Sequence, residues 1–379
     1  MEVYFDNAAT TKVDARVVDK MIPFLAEKFG NPSSAHCFGQ VVKNGIDESR
    51  SNVAKLLNCC EDEIYFTSGA TESNNHFIKS IARNSSKNDK HIIVSQIEHQ
   101  CILRTCEYLE KHGYEVTYVP VGEDGCVDPQ DILKAIRPDT FLVSTMFVNN
   151  ETGMIQPIEE IAQITYQRGI MLHSDCVQGI GKLPFDLQKI KVDAISLSAH
   201  KIHGPKGVGV LFIRKGVSLS PFIHGGSQEK GLRAGTENVP GIIGLGEACR
   251  IAYEEREDYY ANLKSIKENL LSGLQKICDF RINGDLQKMA PNILNISLCG
   301  LKGDTLAMAL SFKGIAVSNG SACSASSAKL SHVLKAMHFS EERIRGAIRI
   351  SFGRYSSKDE VNHFISELNP LLKRFTVKV

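Results

Sequence analysis

The chain has no marked excess of charge. Its 379 residues carry 44 basic and 43 acidic side chains, and the formal net charge is +1. This balance offers no basic surface for a nucleic acid or an anionic membrane, so neither is expected as a partner. No apolar run approaches the roughly 20 residues that span a bilayer. The first residues, MEVYFDNAATTK, lack the basic start and apolar stretch of a secretory signal. These absences favour a soluble, cytoplasmic protein.

The 11 cysteines lack zinc-type spacing. Cys59 and Cys60 are adjacent and therefore form no CxxC pair. In a cytoplasmic protein most cysteines are reduced, small apolar residues, and Cys101 and Cys176 are interpreted in this way. Internal repeats, long linkers and low-complexity tracts are also missing from the sequence. The length indicates about two domains.

Short apolar segments alternate with helical ones from about residue 63 to residue 214. The expected buried strands are IYFT (64–67), HIIVS (91–95), FLVST (141–145), GIMLHSD (169–175), AISLS (194–198) and VGVLFIR (208–214). Segments such as ESNNHFIKSIARN and DPQDILKAIR lie between them and carry apolar residues at helical spacing. The alternation predicts an α/β fold with a mainly parallel sheet, covered by helices on both faces. Ligands of such sheets bind beyond the carboxyl ends of the strands.

The pattern changes near Asp258. An amphipathic helix, roughly DYYANLKSIKENLLSGLQKIC, leads into shorter strands such as ILNISL and AIRISF. We therefore expect a second, smaller α+β domain in the last third of the chain. The predicted division is a large domain of residues 15–257 and a small domain of residues 1–14 and 258–379.

Three features at strand ends suit parts of one cofactor. The segment SGATES (68–73) follows the first strand and opens a helix, whose free N–H groups and positive dipole suit a phosphate. By itself this segment could equally be an ordinary helix cap. Asp175 ends the strand GIMLHSD, where a carboxylate can pair with a pyridinium nitrogen. A lysine, Lys201, follows AISLS and could form a Schiff base. Together the three features favour pyridoxal phosphate (PLP).

The residues alone do not choose between two lysines. Lys206, in the sequence Gly-Pro-Lys-Gly, lies five positions after Lys201. The order of the features along the chain fits either lysine as the residue that forms the Schiff base. His200 and His203 could suggest a metal site. No carboxylate or cysteine pattern completes such a site, so no metal is expected.

Longer motifs make the chain resemble a known family. They are DNAATT (6–11), GNPSS (30–34), TSGATESNN (67–75), EH (98–99), NNE (149–151), SAHKIHGPKG (198–207), RAGTEN (233–238), GSACSAS (320–326) and RISFGR (349–354). With them the sequence resembles the cysteine desulfurases of the NifS/IscS group, in the class-V aminotransferase family. The resemblance implies the type I, aspartate aminotransferase-like PLP fold. That fold has a large domain with a mainly parallel seven-stranded sheet and a small α+β domain, which would carry the catalytic cysteine loop.

The resemblance also implies which residues hold the cofactor. They are Ala70, Thr71, His99, Asn150, Asp175, Gln178, Ser198, His200, Lys201 and Thr236. Within this set Lys201 becomes the Schiff-base lysine, and Gln178 would contact the ring hydroxyl. Ala70, Thr71, Ser198 and His200 would hold the phosphate. Thr236 would reach the phosphate in the neighbouring subunit, which makes a homodimer the expected assembly.

The catalytic residues implied by the resemblance are Lys201, His99 and Cys323. Asn150 and Arg349 would orient the substrate carboxylate, and a guanidinium suits a bidentate grip on that group. An imidazole such as His99 can shuttle protons near neutral pH. Cys323 lies in a small, polar stretch that predicts a mobile loop. Its thiolate would take the sulfur of the substrate.

The expected activity is the PLP-dependent removal of sulfur from L-cysteine. Its products would be L-alanine and a persulfide on Cys323. The sulfur would serve iron–sulfur cluster assembly or another sulfur transfer, with an IscU-like scaffold protein as the expected acceptor. The alternatives are a different type I PLP reaction, such as a transamination or a selenocysteine lyase reaction, and a non-catalytic docking scaffold.

Overall fold

The computed structural model describes residues 1–319 and 330–376. Its strands are β1 (Val3–Tyr4), β2 (Ile64–Thr67), β3 (His91–Ser95), β4 (Glu115–Val119), β5 (Thr140–Ser144), β6 (Met171–Asp175), β7 (Ala194–Ser198), β8 (Gly209–Ile213), β9 (Arg281–Ile282), β10 (Ile293–Ser297), β11 (Ile315–Ala316) and β12 (Ala347–Ser351).

The helices alternate with these strands over most of the chain. They are α1 (Ala15–Met21), α2 (Pro23–Ala26), α3 (Cys37–Leu57), α4 (Ala70–Asn84), α5 (Gln100–Glu110), α6 (Pro129–Ala135), α7 (Ile158–Gln167), α8 (Val239–Glu254), α9 (Arg256–Leu274), α10 (Gly303–Ser311), α11 (His332–Ala336), α12 (Glu341–Arg345) and α13 (Lys358–Thr376). Short 3₁₀ helices cover Glu61–Glu63, Ala199–Lys201, Gln228–Gly231 and Leu286–Lys288.

A seven-stranded sheet organises the larger part of the molecule. Its strand order is β2-β8-β7-β6-β5-β3-β4. Strand β8 is antiparallel to both of its neighbours, and the other adjacent pairs are parallel. Strand β2 therefore runs in the same direction as the five strands from β7 to β4. The carboxyl ends of these six strands share one edge, which confirms the predicted fold class and sheet.

The two faces of this sheet are buried by different helices. Ile92 of β3 packs in a cluster with Phe77 of α4, whereas the next residue, Ile93, belongs to a cluster with Ile46 of α3 and Ile242 of α8. Because successive strand residues point to opposite faces, a strand covered on both sides is buried at nearly every position and is therefore mainly apolar. That requirement explains why the central strands lack a regular alternation of apolar and polar residues in the sequence.

Strand β4 is absent from the strands expected from the sequence. Its residues, EVTYV, are mostly half-exposed or exposed, and the strand pairs only with β3 at the edge of the sheet. An edge strand contacts fewer apolar partners than a central one, so its sequence needs no apolar run. The signal on which the other strands were predicted is therefore missing here.

A second hydrophobic core is built mainly by the last third of the chain. The antiparallel sheet β12-β10-β9 packs with α9 and α13, and the parallel pair β1-β11 adds the buried residues Val3 and Ile315, with Phe5 directly after β1. The predicted helix at 258–278 corresponds to α9, which begins two residues earlier and ends four residues earlier. Val333 and Leu334, in contrast, pack in the first core. The exact domain limits stay a prediction.

The path between the first strand and helix of the site depends on two glycines. Gly69, at φ +151°, has a backbone conformation that side chains rarely adopt, and it turns the chain from β2 into α4. Strand β8 passes close to this turn at Gly209, where an added Cβ would lie 2.6 Å from the Cα of Gly69.

In the described part of the chain, no helix is both long and apolar enough to cross a membrane.

Two phenylalanines in the second part of the chain offer a matched test of this packing. Phe364 is fully buried against Phe5, whereas Phe312 is 85% exposed. We expect Phe364→Ala to lower the free energy of unfolding by about 3–5 kcal/mol, since it removes a buried ring and leaves a cavity. Phe312→Ala should change it by less than about 0.5 kcal/mol. Chemical denaturation followed by circular dichroism measures both values, and equal losses would contradict the placement of the second core.

Candidate active site

A cavity of about 530 Å³ opens at the carboxyl edge of the large sheet. Its volume is in the range of sites for small molecules. The wall contains most of the sequence-predicted site residues, namely Ala70, Thr71, His99, Asn150, Asp175, Gln178, Ser198, His200, Lys201 and Arg349. The fold thus gathers in one place residues that the sequence spreads over most of its length.

The first turn of α4 forms one end of the cavity. Its N-cap residue, Gly69, has no side chain to satisfy the first N–H groups of the helix. The wall at this end also contains Thr71, Ser198 and His200. The nearby carboxylate of Glu72 accepts a hydrogen bond from Ser68 N at 2.9 Å and pairs with Arg233 at 3.0 Å. Helix N–H groups, hydroxyls and a neutralised acid suit a bound phosphate.

Asp175 is the last residue of β6 and is almost completely buried. Its Oδ2 accepts a hydrogen bond from Asn74 Nδ2 at 2.9 Å, and its Oδ1 accepts one from Val177 N at 3.1 Å. Within the described residues no basic side chain forms an ion pair with it. A buried carboxylate held by two neutral donors can therefore take a cationic N–H group from a ligand in the cavity.

Lys201 lies half-buried at the end of the 3₁₀ turn that follows β7. Its Nζ donates to the carbonyl oxygens of Ala8 and Ala9 at 2.5 and 2.7 Å. The rival lysine, Lys206, also contributes to the cavity wall, but the residue is exposed. The N-terminal motif DNAATT thus supplies the backbone acceptors for Lys201, a function that its side chains do not reveal.

His99 caps the N-terminus of α5 with its ring. Its Nδ1 accepts the backbone N–H of Cys101 at 3.2 Å and lies 3.0 Å from the Sγ of the same residue. Because Nδ1 accepts a hydrogen bond, the neutral ring carries its proton on Nε2. Cys101 is itself part of the cavity wall, and it also receives a contact of 3.2 Å from Asn74 Nδ2. Cys176, in contrast, is fully buried in the first core.

The residue before His99 is a buried acid. Glu98 accepts hydrogen bonds at Oε1 from Ser95 Oγ at 2.6 Å and from Met146 N at 2.7 Å. Its Oε2 has no partner among the residues that the structure describes. Burial raises the pKa of Glu98 to about 8, so the carboxyl is largely protonated near neutral pH. The sequence feature that could have indicated this buried acid is its position, three residues after the end of a fully buried strand.

Arg349 enters the cavity from β12, in the second core, and is only 1% exposed. Its Nη2 pairs with Asp6 Oδ1 at 2.7 Å, and its Nη1 donates to the carbonyl oxygen of Asn150 at 2.9 Å. The Nε has no partner in the described part of the chain. A buried guanidinium with an unused donor suits the carboxylate of a substrate.

Asn74 and Asp6 each hold a predicted site residue, and both were missed. Asn74 lies one helical turn after Ala70, a spacing that places both residues on one face of α4 and could have indicated it. Asp6 lies 343 positions before Arg349. No local spacing connects these two residues, so only the fold brings them together.

Two predicted site residues are not among the described residues of the cavity wall. Thr236 is exposed and lies outside the wall. Cys323 lies outside the described residues. The roles assigned to both residues therefore remain predictions.

Comparison with known proteins agrees with this arrangement. Residues 3–364 match the family model for class-V aminotransferases. The chain belongs to this family. The cysteine desulfurase IscS of Dictyoglomus turgidum is 45% identical over 374 residues, which cover 98% of this chain and 95% of that protein. The predicted family is thereby confirmed, and the chain lies in its cysteine desulfurase branch.

Two solved structures resemble the chain over nearly its whole length. One described as a NifS-like protein has a TM-score of 0.93 and 44% identity, and the match covers 98% of this chain and 100% of that one. A structure of SspA in complex with cysteine has a TM-score of 0.84 and 37% identity, with 94% and 100% covered. These neighbours confirm the predicted type I PLP fold.

The family uses pyridoxal phosphate, and the cavity residues fit this group. The uncapped start of α4 suits the phosphate, the carboxylate of Asp175 suits the ring nitrogen, and the amine of Lys201 suits the aldehyde carbon. Each polar end of the cofactor thus has a chemically matched residue in one cavity.

The raised pKa of Glu98 predicts that the difference in stability between wild type and Glu98→Gln depends on pH. The folded pKa lies above the usual value of 4.5, so the folded state binds more protons than the unfolded state between about pH 4.5 and 8. Wild-type stability should therefore fall over this range because of Glu98. Glu98→Gln has no such titration and should gain stability relative to wild type as the pH rises. Denaturant titrations from pH 5 to 8.5 measure the difference, and a constant difference would contradict this prediction.

Proposed function

We propose that this protein is a PLP-dependent cysteine desulfurase that transfers the sulfur of L-cysteine to Cys323 and releases L-alanine. The observation that carries the proposal is the shared cavity of Lys201, Asp175, His99 and Arg349. These residues supply an amine, a carboxylate, a proton carrier and a carboxylate-binding guanidinium in one place. The curated relatives named as cysteine desulfurases support the choice of substrate.

The cofactor would be held at four points. Lys201 would hold its aldehyde carbon covalently, Asp175 its ring nitrogen and Gln178 its ring hydroxyl. The phosphate would be held by residues around the start of α4, with His99 and Asn150 completing the cofactor site. The phosphate-binding residues would be Ala70, Thr71, Ser198 and His200, together with Thr236 of the partner subunit.

The substrate would be oriented by its carboxylate. Arg349 binds this group with guanidinium N–H donors and is itself fixed by Asp6 and by the carbonyl oxygen of Asn150. A fixed carboxylate leaves the substrate few orientations, which places its Cα proton and its sulfur reproducibly. The buried position of Arg349 strengthens the interaction because water does not screen it.

The chain's own residues would then move protons and sulfur. When bound, pyridoxal phosphate supplies an electron sink for the substrate Cα. Once the substrate amine has replaced Lys201 at the aldehyde carbon, the freed Nζ would take the Cα proton, and His99 would exchange a proton at Nε2. The thiolate of Cys323 attacks the substrate sulfur, so an S–S bond forms while the Cβ–S bond breaks. Cβ keeps the electron pair and is protonated, and return of the proton from Lys201 Nζ to Cα then yields alanine. The carbon is reduced and two sulfurs are oxidised, so the step needs no external electron donor.

We further infer a cytoplasmic homodimer that passes its sulfur to an IscU-like scaffold or a similar acceptor. Large apolar side chains are exposed on the segment from α1 to α3, where a second copy could cover them; they include Ile22, Leu25, Phe29, Phe38 and Val41. Thr236 is likewise exposed, as a residue that serves a neighbour's cavity would be. The ten cysteines that the structure describes are free thiols, which suits a reducing compartment.

The role of Cys323 is tested with a matched cysteine. Cys323→Ser should keep the visible absorbance of the bound cofactor but lower the release of alanine and sulfide from L-cysteine by more than about 100-fold, since the nucleophile is lost. Cys299 is exposed and lies outside the cavity, so Cys299→Ser should behave like wild type. Amino-acid analysis and sulfide assays measure the products. Full sulfide release by Cys323→Ser would remove this residue from the mechanism, and formation of a keto acid by wild type would indicate a transaminase.

The choice between the two lysines is tested by covalent trapping. After reduction of the cofactor-loaded protein with borohydride, the cofactor should be attached to the peptide that carries Lys201. Lys201→Arg should abolish this attachment, because a guanidinium is too weakly nucleophilic to form the imine. Lys206→Arg should retain it. Mass spectrometry of the peptides locates the modified residue, and a label on Lys206 would reverse the assignment.

A further inference from the structure

A second buried amine lies behind the cavity wall. Lys182 is only 5% exposed and follows Asp175 by seven positions. Its Nζ donates to the backbone carbonyl oxygen of Gln178 at 3.2 Å and makes a longer contact of 3.5 Å with Gln178 Oε1. Within residues 1–319 and 330–376, Lys182 forms no ion pair. A buried lysine without an acidic partner is costly, so its amine depends on the contacts that it makes with Gln178.

The contacts of Lys182 give the Gln178 amide one favourable orientation. Gln178 Nε2 donates at 2.9 Å to the carbonyl oxygen of Ala8, which also accepts from Lys201. With the amide turned over, Oε1 would face the Ala8 oxygen and the NH₂ group would face the amine of Lys182. The first contact would bring two acceptors together and the second would bring two donors together, so both would be repulsive. Lys182 therefore keeps the donor end of Gln178 on the side of Ala8 and Lys201.

The positive charge on Lys182 also acts on Lys201. Burial, together with the positive charge of Lys201, lowers the pKa of Lys182 to about 7. Among the described residues, the other titratable groups whose pKa values respond to Lys182 are His200 and His203. Burial lowers the pKa of each imidazole to about 4, so both are neutral above pH 6. Near neutral pH the charge that faces Lys182 is therefore that of Lys201.

We propose that Lys182 is a positioning residue, which fixes the amide of Gln178 toward the ring hydroxyl of the cofactor and, when protonated, places a second positive charge beside Lys201. This proposal rests on the proposed function, because the contact of Gln178 with the ring hydroxyl belongs to it. Lys182 lies outside the cavity wall and acts through Gln178 and through its charge.

The test compares Lys182→Met with a second buried lysine. Methionine keeps most of the apolar stem but lacks the amine. Lys267 is the matched control, since burial also lowers its pKa to about 7, and its Nζ donates to the carbonyl oxygens of Ala290 and Ile293 at 3.0 and 2.9 Å. Lys267 lies on α9, which packs in the second core, and it is not part of the cavity wall.

The first readout is the pH dependence of stability without cofactor. Both lysines have folded pKa values below the usual 10.5, so the unfolded state binds more protons between about pH 7 and 10.5. Wild type should therefore gain stability relative to Lys182→Met, and equally relative to Lys267→Met, as the pH rises through this range. Denaturant titrations measure this gain, and a pH-independent difference for Lys182→Met would overturn the inference, because it would show that Lys182 is not the buried amine that the contact with Gln178 requires.

The second readout is the pH titration of the visible absorbance of the bound cofactor. Loss of a neighbouring cation and of the fixed amide donor should both favour the protonated form, so Lys182→Met should shift the midpoint upward by about 1 pH unit. Lys267→Met should leave the midpoint unchanged. Lys182→Gln, which is neutral but retains an N–H donor, provides a second variant and should show a smaller upward shift. In a Gln178→Met background, Lys182→Met should shift the midpoint less than in wild type.

The outcomes separate the two proposals. A wild-type protein that takes up no pyridoxal phosphate would overturn the proposed function and this inference with it. A wild type that binds and titrates normally, with a Lys182→Met midpoint equal to its own, would overturn the inference alone. An equal shift in Lys267→Met would do the same, because it would show that any buried lysine has this effect.

Discussion

The site depends on the way in which residues 6–11 are held between the two cores. The carbonyl oxygens of Ala8 and Ala9 accept from Lys201, which follows a strand of the large sheet. The backbone N–H of Ala8 donates at 2.9 Å to Ser351 Oγ, at the end of β12. Earlier in the same chain segment, Phe5 is buried in the second core. One short segment therefore fixes the distance between the amine of the large sheet and the guanidinium carried by β12.

The acidic and basic side chains of the cavity are not fully paired with one another, so each can still bind a polar group of a ligand. Asp175 is held by neutral donors, and Arg349 has only one acidic partner, Asp6, among the described residues. Glu98 lies behind His99 and, as a protonated acid near neutral pH, adds no full negative charge to the buried region. In a region of low dielectric constant, extra fixed charges would compete strongly with substrate and cofactor. Burial of Glu98 thus disfavours a second charged carboxylate close to the ring site that Asp175 lines.

Sequence patterns predicted the parts of this protein that follow from local physical requirements. Strands buried on both faces need continuous apolar runs, and the six predicted strands are all present. Residues directly after those strands, such as Lys201, could be placed at one edge of the sheet from the strand pattern alone. The half-exposed edge strand β4 has no such requirement and was missed. Asp6 acts through Arg349, which only tertiary packing brings close, so its function had no signal in local spacing. Lys182 lies four positions after Gln178, but its burial, which gives the contact its importance, follows from the packing around it.

The described residues on either side of the stretch around Cys323 are both attached to the site. Ser318 and Arg349 exchange backbone hydrogen bonds at 3.1 and 2.6 Å. His332 Nε2 contacts the carbonyl oxygen of Glu98 at 3.0 Å, next to His99. One flanking residue is therefore attached to the residue that would bind the substrate carboxylate, and the other to the residue before the one that would exchange protons. Because Arg349 lies on β12 and Glu98 follows β3, the position of the chain on each side of this stretch depends on the same packing that assembles the cavity.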